Sequence, residues 1–142
     1  MRIEHFSPTR RGATALGFAV LLKYHSRYGR FPRGRAEVSD DVVVFVAGQL
    51  GVDAEDLGFY EWSGSTIEYH RAQIRGHLGY RTSSVDDQEQ LTIWLADVVA
   101  HAERRHDRVR EELLAEFRRL RIEPPTPGRV SRMVRSALRT AE

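Results

Sequence analysis

The 142-residue sequence contains no cysteine, which excludes disulfide bonds and thiolate metal sites and suits a cytoplasmic protein. Long hydrophobic runs are missing as well. The longest uncharged apolar run, Ala13 to Leu22, is far shorter than the roughly 20 residues that cross a bilayer, so we expect no membrane partner. The opening residues have no apolar core before a cleavage-like site, so we expect no signal peptide. With 41% hydrophobic and 30% charged residues, the composition is that of a soluble globular protein.

Lysine is also scarce: Lys23 is the one lysine among 22 basic residues, and the others are arginine. The charges are segregated along the chain. Residues 1–35 hold eight basic and one acidic side chains (net +7), whereas residues 36–70 hold eight acidic and no basic ones (net −8). Residues 71–100 have a net charge of −1, and residues 101–142 have a net charge of +4. Two interpretations are open: the basic segments form a phosphate-binding face, or the acidic segment folds against them and neutralises them.

Glycine, proline and capping residues divide the first half of the chain into helices. A first helix is predicted over residues 14–28, because the run ALGFAVLL implies burial on most sides and Gly29 can end it. A second is predicted from the N-cap Ser39 through VVVFVAGQL to Gly51. Its β-branched run also suits a strand, but the cap, the glycine stop and the lack of a partner strand favour a helix.

Similar signals locate the later helices. The third predicted helix has Ser65 as its N-cap, which forms a capping-box pattern with Glu68, and the fourth starts at Ser84 and Asp87. The fifth follows a break at 103–108, and the sixth starts at Thr126, which is followed by Pro127. The apolar faces follow the helical period. They comprise Leu91, Trp94, Leu95, Val98 and Ala102, then Val109, Leu113, Phe117 and Leu120, then Val130, Met133, Val134, Ala137 and Leu138. The sequence therefore predicts an all-α fold of about six helices in two small linked subdomains, 1–82 and 83–142, with a helix-turn-helix-like layout.

Basic side chains form a stripe along the first helix. Lys23, Arg27 and Arg30 recur at i, i+4 and i+7, which places them on one face. Such stripes bind phosphate by charge and by release of counterions. The flanking residues that extend the stripe are Arg10, Arg11, Arg33 and Arg35.

The third predicted helix is the best candidate for reading a DNA groove. Its inner side carries Ile67, Ile74 and Leu78, and His70 shares that side, so we expect a buried histidine rather than a DNA contact. Gln and Arg can contact base edges, while Thr and Tyr more often bind phosphates. The residues assigned to DNA here are Thr66, Tyr69, Arg71, Gln73, Arg75 and Arg81.

The last helix offers a second basic surface. Its arginines lie opposite the apolar face or at its start, and they are Arg129, Arg132, Arg135 and Arg139. Two interpretations are open: these arginines contact phosphates, or they pair with acids such as Glu112 and Glu116 on the preceding helix.

Catalytic patterns are weak throughout. The histidines lack a third partner with metal-ligand spacing, and the sequence has neither a phosphate-cradling glycine-rich loop nor a Gly-x-Ser-x-Gly motif. The acidic pairs fall at helix starts, where the helix dipole explains them. We therefore expect a protein that is not an enzyme by itself, with no catalytic residue, no metal and no cofactor.

Two blocks carry a family resemblance, LGFAVLLKYHSRYGRFP (16–32) and WSGSTIEYHRAQIRGHLGYR (62–81). Three shorter segments extend it in the same order along the chain: VFVAGQLGV, IWLADVV and IEPPTPGRVSRMV. Together they resemble the N-terminal, DNA-recognising region of Tn-three family replicative transposases. The resemblance implies two helical subdomains that bind the terminal inverted repeats of a transposon as double-stranded DNA. It also implies that strand transfer belongs to a catalytic domain that this chain lacks. The positions that fall within the family-like blocks are Lys23, Arg30, Arg33, Tyr69, His70, Arg71, Arg75 and Arg81.

Two departures from the family pattern bear on function. Only residues 1–15 precede the first block, where the family usually has a tryptophan-containing segment, and Ser65 stands where a basic residue is common. The leading hypothesis is a module that binds inverted-repeat DNA. The alternatives are a protein-interaction or regulatory module, which associates with a transposase catalytic region or with itself, and a remnant without DNA-binding activity.

Overall fold

The computed structural model describes residues 10–142, with side chains from Gly12 onward. The prediction of an all-α fold is confirmed, since six α-helices make up most of the described chain and its two strands are two residues long each. No helix among the described residues is long and apolar enough to cross a membrane.

The chain forms two compact units that divide between Leu78 and Gly79. Residues 79–82, which the sequence placed in the first subdomain, lie with the second. The reason is a short parallel pairing: strand β1, Arg81–Thr82, pairs with strand β2, Ile122–Glu123. This pairing attaches residues 79–82 to the second unit, although they directly follow the third helix in the sequence.

The first unit packs three helices and two 3-10 segments around one core. Its helices are α1 (Arg10–Tyr28), α2 (Asp40–Leu50) and α3 (Ser65–Leu78), and the 3-10 segments are Arg35–Glu37 and Ala54–Phe59. Helix α1 contacts α2, α3 and the second 3-10 segment, so it forms the centre of this unit. The largest side chains that it and α3 bury completely are Leu16, Leu21, Ile67 and Ile74.

The predicted C-terminal end of α1 and both predicted ends of α2 are confirmed, whereas α1 begins at Arg10, four residues before the predicted start. Gly29 adopts a left-handed φ of 74° and donates its N–H to the His25 carbonyl at 2.8 Å, which closes α1. Ser39 caps α2 by accepting the Val42 N–H at 3.3 Å, and Gly51 ends it with a φ of 71°. The β-branched run of α2 is therefore helical, as the capping signals predicted.

The start of α3 differs from the prediction. Helix α3 begins at Ser65, one residue early, and the Glu68 N–H donates to the Gly64 carbonyl at 3.4 Å. The Glu68 carboxylate instead accepts from Arg71 at 3.0 Å. The predicted capping box is thus replaced by a backbone bond and an ion pair. The connection from α2 to α3 also spans residues 51–64, longer than the short turn of a helix-turn-helix motif.

Gly17 allows the close approach that anchors the loop before α3. The Tyr60 ring lies directly against the α1 backbone at Gly17, where the Cβ of any other residue would overlap the ring. Tyr60 is consequently buried, and its hydroxyl shares a hydrogen bond of 2.8 Å with Nδ1 of His70 on α3. Gly17 therefore sets the position of α3 through Tyr60.

The second unit has its own core. Its helices are α4 (Val85–Trp94), which continues as a π-helical segment (Leu95–Ala100), α5 (His106–Leu120) and α6 (Pro127–Thr140). The predicted helix start at Ser84 and Asp87 and the N-cap Thr126 before Pro127 are both confirmed, and Ser84 and Asp87 form a capping box. The fully buried large side chains of this core are Leu95, Val109, Leu113, Phe117, Val130 and Val134.

Part of the predicted apolar face of α4 is wrong. Val98 is 55% exposed and Ala102 is also exposed, whereas Ala96 and Ala100 are buried. The cause is the π-helical segment, whose wider turns rotate the chain so that a strict α-helical period no longer describes the face. Leu120 is exposed too, because α5 ends there and Arg121 turns the chain away with a φ of 57°.

Candidate nucleic-acid interface

The basic stripe of α1 is arranged on aromatic rings. Lys23 and Arg27 are exposed, as predicted, while Arg30 is half-buried just beyond the helix end. The Lys23 Nζ lies 5.2 Å from the centroid of the Phe45 ring. The Arg27 and Arg30 guanidinium carbons lie 5.5 and 5.4 Å from the Tyr28 and Tyr24 rings. Cation–π contacts of this kind hold a charged head in place while leaving its donors facing water.

Three arginines from two elements meet at Phe31, and we call Arg30, Arg71 and Arg75 the Phe31 arginine cluster. Phe31 is buried, with its ring 4.5 Å from the His25 ring. The guanidinium carbons of Arg71 and Arg75 lie 5.9 and 5.6 Å from the centroid of the Phe31 ring. Arg30 Nη1 donates to the Phe31 carbonyl at 3.2 Å. The fold thus brings the α1 stripe and the arginines of α3 together.

Two carboxylates compete for this cluster. Glu37 accepts from Arg30 at 3.3 Å and from the Arg33 backbone N–H at 2.6 Å, and Glu68 accepts from Arg71. The backbone hydrogen bond from Arg33 is the main reason that the pKa of Glu37 lies below its ordinary value. Arg71 keeps one unsatisfied group, since its Nε is buried without a hydrogen-bond acceptor among the described residues. The cluster is therefore partly neutralised but retains donor capacity.

Arg35 is occupied by a local structural role. One of its guanidinium nitrogens donates to the Val38 carbonyl at 2.7 Å, and the other pairs with Asp40 at 2.7 Å. These bonds span the junction between the first 3-10 segment and α2. Together with the pair of Arg30 and Glu37, they show that the acidic segment neutralises part of the basic one locally.

The exposed side of α3 has two flanks separated by small residues. Arg71 and Arg75 lie on one flank, and Tyr69, which is 65% exposed, and Gln73 lie on the other beside exposed Thr66. Ala72 and Gly76 occupy the crest between the flanks. A Cβ added at Gly76 would meet nothing within 4 Å, so the packing of the protein does not require glycine there. The result is a low ridge bordered by hydrogen-bonding side chains.

His70 lies on the opposite, inner side of α3, as expected for a buried histidine. Its ring stacks on the Tyr60 ring at a 3° interplanar angle, and the Phe18 ring packs nearly perpendicular to it with 5.1 Å between the ring centroids. Burial lowers the pKa of His70 and raises the pKa of Tyr60 to about 12, the latter partly offset by Arg71. Both groups therefore stay neutral near pH 7. Through Tyr60 and Phe18, His70 packs the inner side of α3 against the rest of the first unit.

In the second unit, Arg81 is engaged by Asp87. Its two terminal nitrogens donate to the two carboxylate oxygens at 2.6 and 2.8 Å. These hydrogen bonds are the main reason that the pKa of Asp87 lies far below its ordinary value. Asp87 also accepts the Ser84 N–H in the capping box, so Arg81 completes the start of α4.

The four arginines of α6 are exposed, as predicted. The alternative pairing with Glu116 is not found, because Glu116 accepts from Arg119 of its own helix at 2.6 and 2.9 Å. Arg129 and Arg132 line a groove between α6 and α4, and Arg135 and Arg139 lie outside that lining.

Arg10 and Arg11 begin α1, but their side chains lie outside the described residues. Among residues 12–142, no three histidine, aspartate or glutamate side chains are placed to hold a metal ion.

A family model described as Domain of unknown function (DUF4158) matches residues 2–137. The chain belongs to the DUF4158 family. None of the curated proteins matches it.

The sequence interpretation of this DUF4158 domain missed the aromatic partners of the cations. Tyr24 and Tyr28 are four residues apart, which is a usable signal for the contact of their rings at 4.6 Å between centroids. The contacts of Arg27 with Tyr28 and of Arg30 with Tyr24 do not follow this spacing, so no signal in the sequence predicts them. Phe31 gave no such signal, because its contacts with Arg71 and Arg75 depend on how α1 and α3 pack.

Proposed function

We propose that this DUF4158 domain binds double-stranded DNA through its first unit. The observation that carries the proposal is the Phe31 arginine cluster, which borders an exposed helix whose crest is made of Ala72 and Gly76. The major groove of B-DNA admits an α-helix, and small residues on the crest let the helix backbone approach the base edges. The low ridge of α3 has this shape.

The phosphate contacts are assigned to cations at the edge of α3 and along α1. The Phe31 arginine cluster follows one DNA strand, and the stripe of Lys23 and Arg27 with Arg33 extends it. Aromatic support lowers the conformational entropy that these long side chains lose on binding. Six phosphate contacts by these residues would give a slope of log K against log salt of roughly −5.

The base contacts are assigned to the other flank of α3. Gln73 can make two hydrogen bonds to an adenine edge, and Tyr69 and Thr66 are placed for the adjoining backbone. Arg35 and Arg81 are left out of this interface, because both terminal nitrogens of each guanidinium group already donate hydrogen bonds within the protein. Within the described residues, Arg30 and Arg71 each use one such nitrogen. Arg135 and Arg139 of α6 are assigned to a separate phosphate surface of the second unit.

The cognate DNA that we propose is the terminal inverted repeat of a transposon, following the resemblance to Tn-three family transposases. In this role the domain acts in the cytoplasm as a recognition module without catalytic residue or cofactor. Strand transfer would belong to a separate catalytic domain.

The test is fluorescence anisotropy of the full chain with a labelled inverted-repeat duplex from the neighbouring genome and with a scrambled duplex, across a salt series. The proposal predicts tighter binding to the repeat and a steep salt dependence for both duplexes. Equal weak binding to the two duplexes would mean that the protein has a basic surface but no sequence-specific DNA site. Absence of binding at low salt would refute the proposal.

A further inference from the structure

The second unit has a groove whose two walls carry opposite charge. The groove has a volume of about 680 Å³ and runs between α6 and α4 with its π-helical continuation. The α4 wall carries Glu89 and Asp97, and the α6 wall carries Arg129 and Arg132. Within residues 12–142 none of these four side chains forms an ion pair, so all four charges are available to another molecule.

Apolar side chains stand exposed along the same groove. Val85 is 66% exposed and Ile93 is 56% exposed, and Met133 and Ala96 line the groove beside them. Val85, Glu89, Ile93 and Asp97 follow one another at four-residue spacing, so apolar and acidic side chains alternate along one edge of α4. Contiguous exposed apolar surface with a charged rim is typical of a protein-binding surface.

We propose that this groove binds a second copy of the chain around a two-fold axis. In a two-fold dimer the same patch is used by both copies, and an axis that runs along the groove places the acidic wall of one copy against the basic wall of the other. Each wall carries two charges, so the two carboxylates of one copy can face the two guanidinium groups of the other. Ile93 of each copy then enters the apolar floor of the other groove, and the set of ion pairs between the walls forms twice, once on each side of the axis.

DNA fits this groove less well. The carboxylates of Glu89 and Asp97 lie in the groove beside Arg129 and Arg132, so a phosphate placed there meets repulsion as well as attraction. A dimer also presents two DNA-binding units, which suits a duplex with paired sites, but the self-association does not depend on the proposed function.

The experiment is sedimentation velocity of the full chain without DNA over a concentration series at low salt. The weight-average mass is expected to rise with concentration from the 16.3 kDa of the monomer towards twice that value. Two charge-reversed variants then test the geometry. Arg129→Glu with Arg132→Glu makes the groove wholly acidic, and Glu89→Arg with Asp97→Arg makes it wholly basic.

Each charge-reversed variant alone is expected to stay monomeric, and an equimolar mixture of the two is expected to form a heterodimer. Recovery in the mixture shows that both variants are folded. The matched controls on the exposed side of α5, Arg108→Glu with Arg119→Glu and Glu111→Arg with Glu112→Arg, make the same changes in net charge and should dimerise like the wild type. A wild-type chain that stays monomeric at every concentration overturns the proposal, and so does a dimer that persists in either reversed variant alone.

Discussion

Lys23, Arg27 and Arg30 of the α1 stripe each lie against an aromatic ring, and they differ in whether a carboxylate also binds them. Lys23 contacts the Phe45 ring and Arg27 contacts the Tyr28 ring, and neither contact includes a carboxylate. Arg30 and Arg71 have both a ring and a carboxylate. The two groups therefore differ in what binding to a phosphate would cost them, since the second must give up or share an ion pair.

Removing the competing carboxylates should strengthen DNA binding. In the double variant Glu37→Gln with Glu68→Gln, Arg30 and Arg71 lose their ion pairs while the amide oxygen still accepts the Arg33 N–H. We expect duplex affinity to rise about threefold or more, because each exposed pair contributes roughly 0.2–1 kcal/mol. Anisotropy titrations at fixed salt measure the change.

The matched control is Glu111→Gln with Glu112→Gln, which makes the same change in net charge on α5. Its duplex affinity should rise less than that of the first variant. Equal gains in the two variants would mean that net charge alone, rather than release of the Phe31 arginine cluster, sets the affinity.

His70 gives the fold a pH dependence. Burial lowers the pKa of folded His70, so below about pH 6.5 the unfolded chain takes up a proton first. The stability that neutral His70 contributes is present above about pH 6.5 and is lost as the pH falls towards the lower folded-state value. Urea unfolding between about pH 7.5 and pH 5 should show this loss.

His70→Gln should flatten that pH dependence, while His101→Gln, at an exposed position, should retain it. An unfolding free energy with the same pH dependence in all three proteins would show that His70 is not its source. The sequence predicted the burial of His70 from its place on the side of Ile67 and Ile74. It could not predict the bond with Tyr60, which depends on the close approach at Gly17.

At the scale of elements, α3 is the helix on which the proposed function depends. The variant Gly76→Leu tests recognition without impairing folding. Glycine within a helix lowers the free energy of unfolding by about 0.5–1 kcal/mol relative to alanine, and a side chain at position 76 has open space around it. We expect the free energy of unfolding to be unchanged or higher. Duplex affinity should fall about tenfold or more, corresponding to roughly 1.4 kcal/mol, because leucine fills the crest.

The matched control is Gly48→Leu in α2, since a Cβ at Gly48 also meets nothing within 4 Å. This variant should bind duplex like the wild type. If Gly76→Leu binds equally well, the crest of α3 does not enter a groove.

The helices themselves were largely predictable, because caps and glycine stops act within a few residues. Ser39, Ser84 and Thr126 start helices where the sequence placed them. The π-helical segment was not predictable, since its sequence LADVVA (95–100) is equally compatible with a regular α-helix. Its wider turns depend on packing in the second unit, and they leave Val98 outside the core.

At the scale of the molecule, the segregated charges bear on both of the interpretations that the sequence left open: local neutralisation is observed, and the phosphate-binding face is proposed. Glu37 and Asp40 of the acidic segment form ion pairs with Arg30 and Arg35, so they neutralise part of the basic segment locally. The Phe31 arginine cluster, which joins residues far apart in the chain, gives the proposed basic face. A sequence reports how many charges each segment has, whereas the packing of α1 on α3 decides which of them meet.

The central claim, that the Phe31 arginine cluster contacts phosphates, is tested most directly by the salt dependence of duplex binding. The comparison is between wild type, Arg71→Ala with Arg75→Ala, and the control Arg108→Ala with Arg119→Ala on α5, which removes the same charge. The account predicts that the slope of log K against log salt becomes shallower by roughly 2 in the first variant and stays close to wild type in the control. Equal slopes in the three proteins would contradict it.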